Sequence, residues 1–279
     1  MDSPPPGPGA IVLAGGRSSR MGSPKAWLDW HGATLLSRVT GIVARAVAPG
    51  PVVVVAAPGQ ELPELAPEVE FAIDAHEGRG PMQGLAAGLE ALEGRAQVAY
   101  ATSTDVPLLH PAFVATVLGA LTPEHEAVMA EVGGRRQPLA AAYRTSLRPL
   151  VDELIADGML RTASLFEHCR AVSLDERALL GDPAVARFDP ELASVANLNA
   201  REDYERALRI PAPEIEARAS GAPARQTVRA WTLGALAAAM QVRLDERVAP
   251  VLNGNQITRD PRLPLVAGDA VSFTVAARP

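Results

Sequence analysis

The amino-acid sequence predicts an α/β fold in two parts, a three-layer domain followed by a small α+β domain. Up to Leu208, short runs of apolar and β-branched residues alternate with segments of helical hydrophobic spacing. This alternation is typical of a sheet that is covered by helices on both faces and connected by right-handed crossovers. It ends near Ile210–Pro213, where the charge balance also changes: residues 1–213 hold 18 basic and 26 acidic residues, whereas residues 214–279 hold 8 and 6.

Each strand and helix of the first part has its own pattern. The first strand, Ala10–Leu13, is a short apolar run that enters a glycine turn, and Pro51–Ala57 is a continuous β-branched run typical of a doubly covered parallel strand. Further strands are predicted at Val69–Ile73, Gln97–Thr102, Ala127–Val132 and, after a Gly133-Gly134 turn, Pro138–Tyr143. Helices are predicted at Thr34–Val47, Met82–Leu92, Pro111–Leu121, Thr145–Asp157, Leu160–His168 and Arg201–Leu208.

The sequence pattern of the second part predicts a ββαββ unit. Strands are expected at Ile215–Ala219, Gln226–Ala230, Val248–Leu252 and Ala270–Ala276, with a helix at Thr232–Gln241 and turns at Gly221 and Asn253-Gly254. A unit of about 66 residues is near the lower size limit for an independent core. The predicted domains are therefore residues 1–209 and 214–279.

Composition excludes several classes of protein. The formal net charge of −6 speaks against a nucleic acid or an anionic membrane as the main partner. The longest uncharged run, Val106–Pro123, is interrupted by prolines, and no export signal precedes the first strand. The single cysteine, Cys169, excludes an internal disulfide framework and fits a reducing compartment, and its neighbour His168 lacks the spacing of a metal ligand. We expect a cytoplasmic protein.

Lysine usage singles out one position. Of the 26 basic residues, Lys25 is the only lysine. A lysine that persists in an arginine-rich chain is a candidate for a site that needs a compact ammonium group instead of a planar guanidinium. Chance is the alternative explanation.

Lys25 ends a glycine-containing loop between the first strand and the first helix. Glycines in such a loop let backbone N–H groups approach an anion, and Arg17, Arg20 and Lys25 add positive charge. The loop contains neither the dinucleotide-binding G-x-G-x-x-G pattern nor a P-loop. It predicts a phosphate site, with a plain turn as the alternative.

With its flanks, the loop Leu13–Lys25 resembles the signature L-A-G-G-x-S-x-R-M-G-x-x-K of the small nucleotidyltransferases, and is most similar to that of the molybdenum cofactor guanylyltransferases. Further matching segments follow in the same order: Phe71–Asp74, Gly80–Leu85, Ser103–Leu108, Arg136–Ala140 and Asn197–Asp203. The resemblance covers residues 10–208 and implies a Rossmann-like nucleotidyltransferase domain.

The resemblance implies two catalytic residues. Lys25 would bind phosphate and stabilise charge in the transition state, and Asp105 would carry Mg²⁺. Asp105 follows a predicted strand, at the carboxyl edge where open α/β sheets bind ligands, and a hard carboxylate suits Mg²⁺. The alternative for Asp105 is a turn or N-cap aspartate before Pro107.

The resemblance also implies binding residues. The nucleotide would contact Leu13, Ala14, Gly15, Gly16, Arg17, Arg20, Lys25, Asp74, Gly80, Pro81 and Asp105, and the acceptor would contact Asn197 and Asn199. Asp74 would accept hydrogen bonds from the N1–H and amino groups of guanine. The alternatives are a loop aspartate at Asp74, local backbone bonds at the asparagines and solvated surface charges at the two arginines.

The implied reaction is transfer of GMP from GTP to the molybdopterin cofactor with release of pyrophosphate. Pro24 departs from the guanylyltransferase pattern, which often has Asp there, and matches the Pro-Lys of related cytidylyltransferases. A cytidylyltransferase on the same or another phosphorylated acceptor is therefore one alternative. A non-catalytic scaffold of cofactor biosynthesis is another, against which Lys25 and Asp105 count.

The second domain resembles the β-grasp sulfur carriers in Thr232–Leu236, Val251–Gly254 and Leu265–Phe273. Those carriers act through a terminal Gly-Gly, whereas this sequence ends in Ala276–Pro279. We therefore expect a docking module for molybdopterin-handling proteins, without carrier chemistry.

Overall fold

The structure is a computed structural model that describes residues 7–15, 24–74, 80–221 and 224–275. Contacts divide the chain into two units, Met1–Leu28 with Leu35–Asn199, and Asp29–Thr34 with Ala200–Pro279. Within the described ranges, no helix has both the length and the apolar character that crossing a membrane requires.

The strands and helices are as follows in chain order. The strands are β1 (Gly9–Leu13), β2 (Asp29–Trp30), β3 (Ala33–Thr34), β4 (Val52–Ala56), β5 (Val69–Ile73), β6 (Val98–Ser103), β7 (Ala127–Val132), β8 (Arg135–Arg144), β9 (Ala171–Leu174), β10 (Glu214–Arg218), β11 (Gln226–Arg229), β12 (Val248–Leu252), β13 (Asn255–Gln256) and β14 (Ala270–Val275). The α-helices are α1 (Leu35–Val47), α2 (Pro81–Ala91), α3 (Pro111–Gly119), α4 (Arg148–Ala156), α5 (Thr162–His168), α6 (Glu176–Leu180), α7 (Pro183–Phe188), α8 (Arg201–Ala207) and α9 (Leu233–Ala239).

The first unit contains a seven-stranded sheet with the order β5-β4-β1-β6-β8-β7-β9. Strands β5, β4, β1 and β6 are parallel, and β8 runs antiparallel to its neighbours β6 and β7. Strand β8 reverses direction because the two-residue turn Gly133-Gly134 joins it to β7 as a hairpin. Both glycines have positive φ, as tight turns between antiparallel strands require. The predicted α/β architecture is thus present, in a mixed sheet.

Helices cover both faces of this sheet. On one face, Ile11 of β1 and Val53 of β4 belong to a buried cluster with Leu85 and Leu89 of α2 and with residues of α4 and α5. Because side chains alternate along a strand, their neighbours Val12 and Val54 point to the other face, which α1 covers. The predicted three layers are therefore found.

The sequence-based prediction missed β9, α6 and α7. Strand β9 has four half-buried residues at the sheet edge, and α6 and α7 have five and six residues with aspartate caps, Asp175 and Asp182. Segments this short hold too few apolar positions to establish a period.

The second unit contains a five-stranded sheet with the order β11-β10-β14-β12-β13. Strands β10 and β14 are parallel, and the other neighbours are antiparallel. Leu233 and Leu236 of α9 pack with Ile215 and Phe273 in a buried core. The predicted strands and helix are present, but the strand that follows the Asn253-Gly254 turn is the two-residue β13, and β14 comes later.

A hairpin from early in the chain belongs to this second unit. Strands β2 and β3 are joined by His31 and Gly32, both at positive φ. Trp30 is fully buried with its ring 5.3 Å from that of Trp231, and His31 stacks on Trp231. The Tyr204 hydroxyl of α8 donates to the carbonyl of Asp29. The contacts therefore place this hairpin and α8 with the second unit. The sequence-based domains, residues 1–209 and 214–279, assign both segments to the first domain instead.

Candidate active site

Lys25 and Asp105 form an ion pair. Lys25 begins a 3-10 helix, Lys25–Trp27, and Asp105 lies two residues after β6. The Lys25 Nζ lies 2.6 Å from Asp105 Oδ2, and their side chains are 22% and 14% exposed. Partial burial reduces the screening of this pair by water while leaving it accessible to a ligand. The fold thus brings together the two residues that were predicted to be catalytic.

Hydrogen bonds from neighbouring side chains fix Asp105. Ser103 Oγ donates to Asp105 Oδ1 over 2.5 Å. The backbone N–H and the hydroxyl of Thr104 both donate to the carbonyl of Leu13, at 3.2 and 3.0 Å. Among the described residues, the Asp105 carboxylate bonds to side chains, whereas a turn aspartate bonds to backbone N–H groups. These contacts differ from those of a turn aspartate, and the catalytic role of Asp105 stays a prediction.

The ends of β1 and β4 are linked by a residue that the sequence did not single out. Gln60 Nε2 donates to the carbonyl of Ala14 over 2.9 Å, and Gln60 Oε1 accepts from the N–H of Ala57 over 3.0 Å. The N–H of Ala14 donates to Val55. Gln60 therefore holds the start of the predicted phosphate loop against the next strand. No local pattern distinguishes it from any other loop glutamine.

Gly80 and Pro81 place the start of α2 at the same edge of the sheet. Gly80 has φ 105° and ψ 171°, and a Cβ there would lie 2.8 Å from the carbonyl oxygen of Leu160. Pro81 occupies the first turn. A Cβ on Gly84 would lie 3.0 Å from Leu13 Cδ2, so the first turn of α2 lies against the end of β1. The N-terminal N–H groups of this helix favour an anion there.

Asp74 lies at the far end of this edge. It follows β5, is half-buried, and its N–H donates to Ala56 over 2.8 Å. Strands β4 and β1 lie between β5 and β6, so Asp74 and Asp105 are three strand spacings apart, about 14 Å. Contact of these two carboxylates with different parts of one nucleotide stays a prediction.

Asn197 and Asn199 lie on either side of a residue bonded to the Asp105 backbone. The N–H of Leu198 donates to the carbonyl of Asp105 over 2.9 Å. Both asparagines are exposed, and Asn197 Nδ2 donates to the carbonyl of Val195 over 3.1 Å. Asn197 therefore makes the local hydrogen bond to the backbone that is the alternative to acceptor binding. The segment that carries it is also bonded to the backbone of Asp105.

Three of the predicted nucleotide-binding residues, Gly16, Arg17 and Arg20, lie outside the described residues. Leu13, Ala14 and Gly15 are described, at the end of β1. A Cβ on Gly15 would be 3.6 Å from the nitrogen of Ala57.

The donor atoms around Asp105 fit a magnesium ion that is held by one protein carboxylate and by substrate. Mg²⁺ is usually bound by one or two carboxylates together with phosphate oxygens and water. The bonds from Lys25 and Ser103 leave lone pairs on the Asp105 oxygens. No group of three or more His, Cys, Asp or Glu side chains suited to a metal occurs in the described part of the chain. Asp105 is therefore the candidate ligand, and the metal stays a prediction.

Cys169 is half-buried, and His168 beside it bonds the carbonyl of Ser164. Burial raises the pKa of the Cys169 thiol to about 11, so the thiol is protonated near neutral pH.

Comparisons with known proteins identify the family of this chain. The family model described as the MobA-like NTP transferase domain matches residues 10–172, which is more than half of the chain. The chain belongs to this family. The MobA-like match spans β1, Lys25, β6 and Asp105.

Several known proteins are similar to this chain. A probable molybdenum cofactor guanylyltransferase of Mycobacterium avium is 37% identical over 56% of this chain and 79% of that protein. One of Bacillus cytotoxicus is 29% identical over 70% of this chain and 92% of that protein. The solved structure of molybdopterin-guanine dinucleotide biosynthesis protein A from Archaeoglobus fulgidus has a TM-score of 0.53 and 23% identity, and covers 71% of this chain and 96% of that chain. The last likeness establishes the nucleotidyltransferase fold.

Proposed function

We propose that this MobA-like protein transfers GMP from GTP to the molybdenum–molybdopterin cofactor, giving the guanine dinucleotide form and pyrophosphate. The observation that carries the proposal is the Lys25–Asp105 ion pair at the carboxyl edge of the sheet. The names of the relatives, molybdenum cofactor guanylyltransferases, support the same reaction.

Catalysis of this reaction depends mainly on neutralising negative charge, since the protein forms no covalent bond to the substrates. A phosphate oxygen of the acceptor attacks the α-phosphorus of GTP, a new P–O bond forms, and the bond to the bridging oxygen breaks to release pyrophosphate. Two anions must approach each other, so the site must neutralise negative charge in the transition state. Lys25 Nζ, which is paired with the Asp105 carboxylate, would donate to phosphate oxygens as that charge develops.

Asp105 has two roles in this proposal. Its carboxylate holds the Lys25 ammonium in place and, when Mg²⁺ is bound, supplies one oxygen ligand. A metal held by Asp105 would supply Lewis-acid stabilisation of the phosphate oxygens. Ser103 restricts the rotation of the carboxylate through its bond to Oδ1. Asn197 and Asn199, adjacent to Leu198, contribute amide donors for the acceptor.

Guanine selection is assigned to Asp74. A carboxylate accepts two hydrogen bonds, and guanine offers the N1–H and amino donors side by side. Cytosine presents a lone pair at N3 beside its single amino group, so the same carboxylate would face a lone pair. The spacing of about 14 Å between Asp74 and Asp105 suits a base at one end of the edge and phosphates at the other.

Pyrophosphate release with each nucleoside triphosphate tests the proposal. Release that requires both GTP and the pterin cofactor is the expected result, with a product that contains both. Release with CTP instead would favour the cytidylyltransferase alternative that Pro24 suggests. No release with any of the four nucleotides by folded protein would leave only the scaffold alternative.

The second unit is proposed to be a β-grasp domain that docks molybdopterin-handling proteins. Its sheet order, with a parallel pair β10–β14 at the centre, supports this assignment. The docking role is tested by removing residues 214–279 and measuring transfer with free cofactor and in a coupled assay with the upstream cofactor-synthesis proteins. A larger loss in the coupled assay is expected. An equal loss with free cofactor would mean instead that these residues complete the active site or the fold, for example through the contact of Trp231 with Trp30, and would contradict docking.

A further inference from the structure

The loop that carries Asp105 is anchored at both ends and in its middle by distant parts of the chain. We define the Asp105 loop as residues 105–110, between β6 and α3. At its start, the carbonyl of Asp105 accepts from the N–H of Leu198 over 2.9 Å. At its end, the N–H of His110 donates to Ser194 Oγ over 3.0 Å. In its middle, Arg38 Nε of α1 donates to the carbonyl of Pro107 over 2.5 Å.

The side chains that hold this loop are buried. Arg38 is 2% exposed, Ser194 is 1% exposed and Asp189 is 6% exposed. The Asp189 carboxylate accepts from the N–H groups of Ala193 and Ser194, at 2.7 and 3.1 Å, and so fixes the turn from which the Ser194 hydroxyl reaches His110. Burying charged groups costs free energy unless they are bonded, so a chain that retains them here gains from the bonds that they make.

We propose that Arg38, Asp189 and Ser194 are positioning residues that hold the Asp105 loop, and thereby the Asp105 carboxylate, in place for catalysis. The hydrogen bonds described above join these residues to backbone groups and not to the Asp105 side chain. Arg38 acts from α1 on the middle of the loop, and Ser194, supported by Asp189, acts on its end. The inference rests on the proposed function for its catalytic readout, but the anchoring itself is independent of that function.

Loop geometry matters at this site because the Asp105 carboxylate must meet Lys25 and phosphate together. A displacement of about 1 Å in a catalytic group is enough to lower a rate by about a hundredfold. A segment without regular structure needs hydrogen bonds of its own to reach such accuracy. The same bonded segment carries Asn197 and Asn199, so one set of anchors aligns the metal-side and acceptor-side residues.

Ser194→Ala and Arg38→Lys test the two anchors separately. The first removes the acceptor of the His110 N–H. The second keeps the positive charge but places a methylene where the Nε donor stands. Thr145→Ala is the matched control, since Thr145 Oγ1 also donates to a backbone carbonyl, that of Ala96, which precedes β6 at the opposite edge of the sheet.

Two readouts are taken on the full chain. Amide hydrogen exchange is followed by mass spectrometry over residues 103–110 and 194–199, and the kcat and the KM for GTP are measured at saturating Mg²⁺. Both loop variants are expected to exchange faster over residues 103–110 than the parent protein and to lose about tenfold to a hundredfold in kcat, with KM changed less than about twofold. The Thr145→Ala control is expected to change neither.

The outcomes separate the two proposals. Unchanged exchange over residues 103–110 in a folded Ser194→Ala or Arg38→Lys protein would overturn the anchoring, as would an equal loss of kcat in the control. If one of the two loop variants does not fold, hydrogen exchange in the other variant tests the anchoring. Faster exchange in the variants of a protein that transfers no nucleotide would support the anchoring and refute the proposed function.

Discussion

The Lys25 ammonium and the Asp105 carboxylate are 2.6 Å apart although 80 residues separate them in sequence. One residue follows β1 and the other follows β6, and these strands are parallel neighbours. The contact means that neither residue can be changed without altering the surroundings of the other. Each variant of Lys25 or Asp105 therefore reports on the pair.

Lys25→Ala is expected to leave the fold intact and to lower the rate of transfer by a few hundredfold, equivalent to about 3–4 kcal/mol for one preorganised charge. Lys25→Arg should rescue poorly, because a planar guanidinium does not reproduce a compact ammonium. Initial rates of pyrophosphate release and the melting temperature provide the measurements. Near-parental turnover in folded Lys25→Ala would remove Lys25 from the mechanism.

Asp105→Asn keeps the size of the side chain and removes one ligand charge. We expect the Mg²⁺ concentration for half-maximal activity to rise and the rate to fall, with little change in nucleotide binding without metal. A Mg²⁺ titration of activity measures this shift. A titration curve identical to that of the parent protein would mean that the metal binds elsewhere.

The double variant Lys25→Ala/Asp105→Asn tests the coupling of the pair. Residues in direct contact have interaction energies of about 0.5–3 kcal/mol in double-mutant cycles. The double variant should therefore be less impaired than the product of the two single effects predicts. Multiplicative effects on kcat/KM would show that the ion pair has no catalytic consequence.

Gly80→Ala should destabilise the protein and disturb the start of α2. The φ of 105° and ψ of 171° lie in a region that is essentially reserved for glycine and costs other residues about 1–3 kcal/mol. The added Cβ would also lie 2.8 Å from the Leu160 carbonyl oxygen. Urea unfolding measures the loss, and Gly119→Ala, where a Cβ meets nothing within 4 Å, is the control. Equal stability of the two variants would contradict the prediction.

Trp231→Ala should destabilise the second unit by about 3–5 kcal/mol, the usual cost of removing a buried aromatic ring. Trp231 is buried and packs on Trp30 and His31. Trp27→Ala is the control, because Trp27 is 47% exposed and should cost much less. Denaturant unfolding followed by circular dichroism provides the comparison. A cost for Trp231→Ala no larger than that of the control would show that the aromatic contacts contribute little.

The Cys169 thiol should be alkylated slowly by iodoacetamide below pH 9 in the folded protein, since burial raises its pKa to about 11 and the thiolate is the reactive form. The pKa of the folded thiol lies above its ordinary value of 9.0, so ionisation of this group should lower the stability as pH rises from about 9 to 11. The pH dependence of the alkylation rate, with urea-unfolded protein as reference, is the measurement. Equal rates in both states at pH 8 would contradict the shift.

The sequence by itself determined the elements with dense apolar patterns and the order of the motifs. Strands β1 and β4 were predicted close to their observed bounds, because a strand that is buried on both faces is a continuous apolar run. Helices α1 and α2 were predicted equally closely, because a buried face imposes a helical period on the segment. The glycine loop with Lys25, and the aspartates that follow β5 and β6, were also visible as local patterns. The roles of these residues remain predictions.

Only the tertiary structure decided which distant residues meet. The pairing of Trp30 with Trp231, the link from Gln60 to Ala14 and the anchoring of the Asp105 loop by Arg38 and Ser194 depend on contacts between segments far apart in the chain. A local pattern records whether a side chain is apolar or polar, but it does not record which partner satisfies it. Hydrogen bonds to buried backbone groups are chosen by the packed fold, because only there do donor and acceptor come within 3 Å or so of each other.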